Sequence, residues 1–154
     1  MRKFITVILC AFLIVISVHP SLAQEGITTI ESEYSVDETI DRLEKVLKEN
    51  GLTIFKKVDH KEGAASVDMQ LPPTTVLIFG NPKLGTPLMQ CAPTVAIDLP
   101  QKVLVWESNQ EQVHIGYNLP EYLKERHGIE GCDQELRKIT GALKKIAQTA
   151  AGIL

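Results

Sequence analysis

Hydrophobic residues along this chain recur at helical spacing in some segments and at the spacing of a β-strand in others. The change from one spacing to the other separates the predicted elements. Ser35 and Glu38 fit a capping box, in which a hydroxyl at the helix start faces a carboxylate one turn later. Apolar side chains then repeat at helical spacing from Val36 to Leu47, and Gly51 offers the left-handed conformation that ends many helices. The segment is therefore predicted to be an amphipathic helix.

Five short runs rich in β-branched and apolar residues predict strands. The run 74–79 is apolar or β-branched throughout, which is typical of a central strand buried on both faces. The short polar stretch 108–111 separates the last two runs and predicts a hairpin. The predicted strands are 27–33, 52–58, 74–79, 103–107 and 112–117.

Further helices are predicted between and after these strands. Asp59 begins a short one, and Thr86 as N-cap with Pro87 at the first helical position begins another. Pro120 opens a third, and an apolar stripe that starts at Leu136 indicates a last helix in the tail from about residue 130. The order β-α-β-α-β-α-β-β-α-α predicts an α+β fold, a two-layer sandwich with helices packed on a mixed β-sheet.

The first 23 residues have the pattern of a secretory signal peptide. A basic start at Arg2 and Lys3 precedes an apolar run over 4–18, and small residues up to Ala23 form a cleavage site. The apolar run is shorter than the roughly 20 residues that a spanning helix needs. We therefore expect export to the periplasm or medium, no stable membrane span after cleavage, and one mature domain over 24–154.

Composition narrows the classes of function. The formal net charge is −3, and the mature domain becomes more acidic when the basic start is removed, so no nucleic-acid partner is expected. The mature histidines, His60, His114 and His127, show no metal-binding spacing, and we predict no metal site. Cys91 and Cys132 either pair in an oxidising compartment or stay apart, with Cys91 buried or acting as a nucleophile beside a histidine.

Two strand ends carry candidate chemistry. Asn81 follows the 74–79 strand and precedes a predicted helix start. Free N–H groups there, together with Lys83, would bind an anion. The interpretation that we prefer is a strand-to-helix turn whose residues are required by geometry alone. Asp59 beside His60 suits acid–base work or metal binding, although a capping Asp59 with His60 on the surface is the preferred interpretation. Asp98 can bond backbone amides of the turn before the hairpin, and it is also a candidate ligand-binding residue, together with Asp59 and Lys83.

These segments together resemble the domain of unknown function 302 (DUF302) family. The resemblance rests on four pieces, "VDH…A" from residue 58, "LIFGNPKLGTPLMQ" from 77, "AIDLP" from 96 and "VHIGYNLPEYL" from 113, and covers roughly 34–127. It implies a compact α+β domain and leads us to expect a homodimer, but it brings no function. This chain departs from the family pattern at Cys91 and in the tail from Glu130. The positions that match family motifs are Asp59, His60, Gly80, Asn81, Pro82, Pro87, Met89, Asp98, Leu99, Pro100 and Tyr117.

The resemblance suggests a shared pocket, since His60, Asn81 and Tyr117 all fall at or near predicted strand ends. Our first interpretation is an exported, non-enzymatic module that binds an unidentified small ligand or protein partner; the cofactor, if any, is unknown. The alternatives are an enzyme or redox protein that uses His60 with Cys91 or Tyr117, and a metal or haem carrier that uses His60.

Overall fold

A computed structural model describes residues 26–154 of the chain. The predicted signal peptide, residues 1–23, lies outside this range and its export role stays a prediction. The described residues form five strands, five α-helices and a short 3-10 helix, in the predicted order. The strands are β1 Ile27–Ser32, β2 Thr53–Asp59, β3 Thr74–Gly80, β4 Gln101–Glu107 and β5 Val113–Asn118. The helices are α1 Val36–Glu49, α2 His60–Ala65, α3 Pro82–Cys91, α4 Pro120–His127 and α5 Asp133–Ala151, and the 3-10 helix is Pro93–Ile97.

The five strands form one sheet in the order β1-β5-β4-β3-β2, and every neighbouring pair is antiparallel. The α+β class is confirmed, whereas the expectation of a mixed sheet is wrong. The connections through α2 and α3 join neighbouring antiparallel strands, whereas α1 connects β1 and β2, which lie at opposite edges of the sheet and run in the same direction. β5 lies between β1 and β4, which places the first strand at an edge.

Helices cover one face of the sheet. α1 packs on β2, β3 and β4, while α5 packs on β1, β5 and α1. Burial along β3 alternates between buried and half-buried residues, so the prediction that this strand is buried on both faces is wrong. Its core face carries Thr75, Leu77 and Phe79, and the opposite face has no helix of comparable coverage among residues 26–154. The core therefore lies between one sheet face and α1, α3 and α5.

Local sequence explains how the elements begin. Ser35 caps α1 through its side-chain oxygen, which accepts from the Glu38 N–H, as predicted. Asp59 caps α2 in the same way through the Glu62 N–H at 3.0 Å.

Gly116 on the open face of β5 lies under the ring of Trp106, where an added Cβ would come within 2.9 Å of a ring carbon. Any larger residue at that position would displace the ring.

α3 begins earlier than predicted. Asn81 is its N-cap and Pro82 occupies the first helical position, so Thr86 and Pro87 lie inside the helix rather than at its start. The helix follows β3 without a separate loop because Asn81 has an extended backbone and its side chain immediately caps the next turn. The shift brings α3 against the end of the sheet, where it forms one wall of a cleft.

Candidate functional site: an apolar cleft at the end of the sheet

A cleft of about 260 Å³ opens between the sheet and helices α3 and α5. Phe79 and Gln101, opposite each other in the β3–β4 pair, form part of its floor. The side chains that line it carry no charge, within the part of the chain that the structure describes. Its apolar walls include Leu84, Met89, Leu99, Ile139, Leu143 and Ile146. Such a surface favours an apolar occupant.

Phe55 stands at the rim of this cleft. The register of β2 against β3 shifts between Ile54 and Lys56, which places a bulge at Phe55. A bulge changes the direction of the side chain it carries, and Phe55 lines the cleft while 53% of it is exposed. An exposed ring at the mouth of an apolar cleft provides surface that an occupant would cover.

One polar side chain on the cleft floor lacks a partner. Gln101 is 8% exposed, and its Nε2 makes no hydrogen bond. A buried amide N–H without a partner costs about 1–3 kcal/mol relative to a satisfied one. No described residue accepts a hydrogen bond from this donor, so the cost is not compensated within residues 26–154.

Asn81 also lines the cleft, but its polar atoms are already used. Its Oδ1 accepts from the Lys83 N–H at 2.9 Å, and its Nδ2 donates to the Gly51 carbonyl at 3.1 Å. The Leu84 and Gly85 N–H groups both donate to the Asn81 carbonyl. Because Pro82 has no N–H, the first turn of α3 keeps no free donor for an anion. The interpretation of this segment as a turn fits these contacts better than the anion site.

His60 and Asn81 do not meet, so the shared pocket proposed for them is wrong. Asp59 lies opposite Thr75 in the β2–β3 pair, whereas Gly80 lies opposite Thr53. At about 3.3 Å per residue, the five-residue separation along β3 puts roughly 17 Å between the two ends. His60 is exposed at the end remote from the cleft.

Tyr117 belongs to the core rather than to the cleft. It lies opposite Val103 in the β4–β5 pair and is 8% exposed. Burial, and after it the negative charge of Glu121, raises the pKa of the Tyr117 phenol. Its hydroxyl is therefore held neutral at physiological pH, away from His60. The two residues cannot act together on one substrate in this fold.

A polar cluster lies on the other side of the segment between α3 and β4. His127, whose side chain is 5% exposed, places Nε2 2.6 Å from Asp98 Oδ2 and Nδ1 3.1 Å from Thr94 Oγ1. Arg126 Nε lies 3.4 Å from the same Asp98 oxygen. The hydrogen bond of Arg126 to the Tyr122 hydroxyl, followed by the charge of Asp98, raises the pKa of the guanidinium.

This cluster corrects the expected role of Asp98. Its carboxylate binds His127 and Arg126, rather than backbone amides of the turn. Sequence reasoning overlooked His127 because 29 residues separate it from Asp98, and no short motif joins them. The only local signal was an Arg-His pair at the end of α4, where basic residues are favoured in any case.

Cys91 and Cys132 form a disulfide. The bond ties the end of α3 to the residue before α5, beside the His127 cluster. Since both sulfurs are engaged, Cys91 has no free thiol for the nucleophilic role considered for it.

Within residues 26–154, no group of three or more His, Cys, Asp or Glu side chains is arranged to hold a metal ion. No helix in this same range is long and apolar enough to span a bilayer.

The fold and the cleft together define a small α+β domain with an antiparallel sheet, one helical layer and a cavity of ligand size. Residues 28–146 match the family described as "Domain of unknown function DUF302", and the chain belongs to that family. The crystal structure of an uncharacterized conserved DUF302 protein from Bacillus stearothermophilus superposes with a TM-score of 0.74 at 21% identity. The match covers 82% of this chain and 98% of that chain, and it shows the fold.

Curated relatives extend beyond this domain. "Fluoride-specific ion channel FluC 1" of Brucella suis biovar 1 is 38% identical over 133 residues, which are 86% of this chain and 52% of that protein. "Fluoride-specific ion channel FluC 1" of Brucella abortus biovar 1 is also 38% identical over 133 residues, which are 49% of its length. The chain thus spans about half the length of the curated relatives it matches.

Proposed function

We propose that this domain is an exported accessory module that binds a small, mainly apolar molecule. The observation that carries the proposal is the uncharged cleft of about 260 Å³ between the sheet, α3 and α5. Its volume lies just below the range of about 300–1,000 Å³ typical of drug-sized ligand sites. A compact molecule would therefore fill it. Export is supported by the signal-like sequence of residues 1–23.

A binding role agrees better with the side chains than the enzymatic alternative does. The groups considered for catalysis are dispersed: His60 is exposed at one sheet end, Tyr117 is in the core and Cys91 is in a disulfide. The cleft itself offers an uncharged, mainly apolar surface, which suits recognition of a ligand.

Native mass spectrometry of the protein purified from the exported fraction, without denaturant, tests the proposal. We expect a bound mass that leaves on denaturation, together with a chain that begins after Ala23. Leu143→Trp, which fills the cleft from α5, should abolish the bound mass. Val67→Trp, at an exposed position outside the cleft, is the matched control and should retain it. Bare wild-type protein, with no binding when apolar probes are added, would contradict the proposal.

The same spectrum tests the proposed homodimer. The sheet face away from the helices carries half-buried apolar side chains, among them Val76, Ile78 and Leu104. A second copy packed there would remove these side chains from water. A dimer mass that Leu104→Lys converts to a monomer mass supports this arrangement. A monomer at every concentration would contradict it.

The curated relatives favour a more specific second proposal, that the module assists a membrane protein. They are named as fluoride-specific ion channels, and about half of each lies outside the match to this chain. Unfolding in sodium fluoride and in sodium chloride, at equal ionic strength, tests whether the domain itself binds the ion. A higher midpoint in fluoride alone would support direct binding. Equal midpoints would leave a role beside a partner, which co-purification with a membrane fraction then tests.

A further inference from the structure

Helix α3 is the less firmly held of the two helical walls of the cleft. It buries one side chain, Leu88, whereas α5 on the other side buries seven. Gly85 and Pro87 lie inside α3, and Pro87 supplies no N–H to the hydrogen bonds of the helix. An element with few buried side chains and weakened hydrogen bonds opens at a low cost in free energy. The position of α3 therefore depends on how its two ends are attached.

The two ends of α3 are attached in different ways. At its start, Asn81 Nδ2 donates a hydrogen bond to the Gly51 carbonyl. At its end, Cys91 forms the disulfide with Cys132, the residue that precedes α5. The disulfide therefore joins the two helices that form the walls of the cleft. Breaking it removes the covalent link between these walls and leaves the attachment at the start of α3 in place.

The two sulfurs of this disulfide differ in their access to solvent and in their surroundings. Cys91 is exposed, whereas Cys132 is 5% exposed, so a thiolate in solution reaches Cys91 first. The electron pair of the broken bond then leaves on Cys132 Sγ. Cys132 is the N-cap of α5, where the positive end of a 19-residue helix favours a thiolate. Of the two carboxylates in the first turn, Asp133 and Glu135, the first is already paired with Lys124.

We propose that the Cys91–Cys132 disulfide is a redox switch for the cleft, opened by a dithiol reductant that attacks Cys91. The first thiolate of the dithiol forms a mixed disulfide with Cys91 and releases Cys132, and the second thiol then displaces Cys91. The dithiol is oxidised to a disulfide, the protein disulfide is reduced, and the two protons of the dithiol pass to Cys91 and Cys132. α3 then separates from α5. The effect on a ligand rests on the proposed function, whereas the exchange and the release of α3 do not.

Trapping of the mixed disulfide tests the direction of exchange. The native protein, purified from the exported fraction, is treated briefly with glutathione and then with N-ethylmaleimide, which blocks the released thiol. Peptide mapping by mass spectrometry should place glutathione on Cys91 and the maleimide on Cys132. The reverse labelling would overturn the attack at Cys91. A disulfide that reacts only after denaturant is added would overturn the switch as a whole.

NMR relaxation of the same protein, before and after treatment with dithiothreitol, tests the release of α3. The amide order parameters of Leu88 and Ala92, at the end of α3, should fall from about 0.85 to below about 0.6 on reduction. The amides of α1, which buries six side chains, are the internal control and should keep their values. Unchanged order parameters in α3 would overturn the proposal. Loss of the folded spectrum throughout the chain would also overturn it, because the disulfide would then hold the whole domain.

Binding of N-phenyl-1-naphthylamine, an uncharged apolar fluorophore, connects the switch to the proposed function. The reduced protein should bind it about tenfold more weakly, because only molecules with α3 in place have a complete cleft. Cys91→Ala with Cys132→Ala should bind as weakly as the reduced protein, and dithiothreitol should not change its affinity. Equal affinity of oxidised and reduced protein would overturn control of the cleft. If neither form binds while α3 is released as expected, the binding function fails and the redox switch is supported.

Discussion

The segment between α3 and β4 has two sides: a buried polar side chain is fully paired on one side, and another is left partly unpaired on the other. On one side, Thr94 and Asp98 contact His127, and both imidazole nitrogens have partners. On the other side, Leu99 and Gln101 face the cleft, and the amide nitrogen has none. A buried polar group that is fully paired stabilises the fold around it, whereas an unpaired one destabilises it unless something else binds. The first side is thus satisfied within the protein, whereas the second keeps one buried amide nitrogen without a partner among the described residues.

The comparison also corrects an attractive interpretation of the polar side. Thr94, His127 and Asp98 form a hydrogen-bonded row of a hydroxyl, an imidazole and a carboxylate. Such a row resembles the arrangement that activates a nucleophile. Here the carboxylate also pairs with Arg126, and the cluster joins α4 to the 3-10 helix beside the disulfide. Thr94 does not line the cleft, so an occupant of the cleft would not contact its hydroxyl. The cluster therefore serves mainly to hold this segment in place.

The largest effect should come from removing the disulfide that anchors the segment. The double change Cys91→Ala with Cys132→Ala frees a loop of 41 residues. We expect a loss of about 3–4 kcal/mol in the free energy of unfolding, because the unfolded chain regains that loop entropy. Urea denaturation measures the loss, and the reduced wild-type protein should match the variant. A loss below about 1 kcal/mol would show that other contacts already hold the segment.

His127→Ala should cause the second-largest loss of stability. It leaves the Asp98 carboxylate, whose side chain is only 15% exposed, with Arg126 as its remaining side-chain partner. We expect a loss of about 2–3 kcal/mol, typical of a buried charge that loses a close partner. His60→Ala is the matched control: His60 is exposed, and its removal should change stability by no more than about 0.5 kcal/mol. Equal effects of the two histidine changes would remove the structural role assigned to the polar side.

Gln101→Leu should change stability in the other direction. Without ligand, the variant replaces an unpaired buried amide by an apolar side chain of similar volume, so we expect a gain of about 1–2 kcal/mol. A destabilised variant would mean that the amide has a partner in the free protein, which contradicts the contrast between the two sides.

Asn81→Ala should have the smallest of these effects. It removes the cap of α3 and the hydrogen bond to Gly51, which together are worth about 1–1.5 kcal/mol. Because Asn81 contributes no free polar atom to the cleft, any mass that accompanies the native wild-type protein should stay bound to the variant. Asn109→Ala, on an exposed loop residue, is the control for stability. Loss of that bound mass from a folded Asn81→Ala variant would place ligand recognition at the helix start.

The success of the sequence-based predictions depended on the range of the interactions involved. Ser35 and Asp59 were correctly predicted as caps because each bonds an N–H three residues away. The start of α3 was wrong because Thr86-Pro87 and Asn81-Pro82 both fit a local start pattern, and Asn81 gained the additional contact with Gly51. The pocket joining His60 to Asn81 was wrong because strand ends were counted without the direction of pairing, which antiparallel β2 and β3 reverse.

By itself, the sequence determined the order of elements, the caps of α1 and α2 and the family, since these depend on periodicity and on hydrogen bonds between near neighbours. Tertiary structure decided which side chains share a site. It brought His127 to Asp98 across 29 residues and left Gln101 without a partner on the cleft floor. Whether a buried polar atom is paired depends on groups that pack around it from distant parts of the chain. No local pattern contains that information, which is why Gln101 did not appear among the candidate residues.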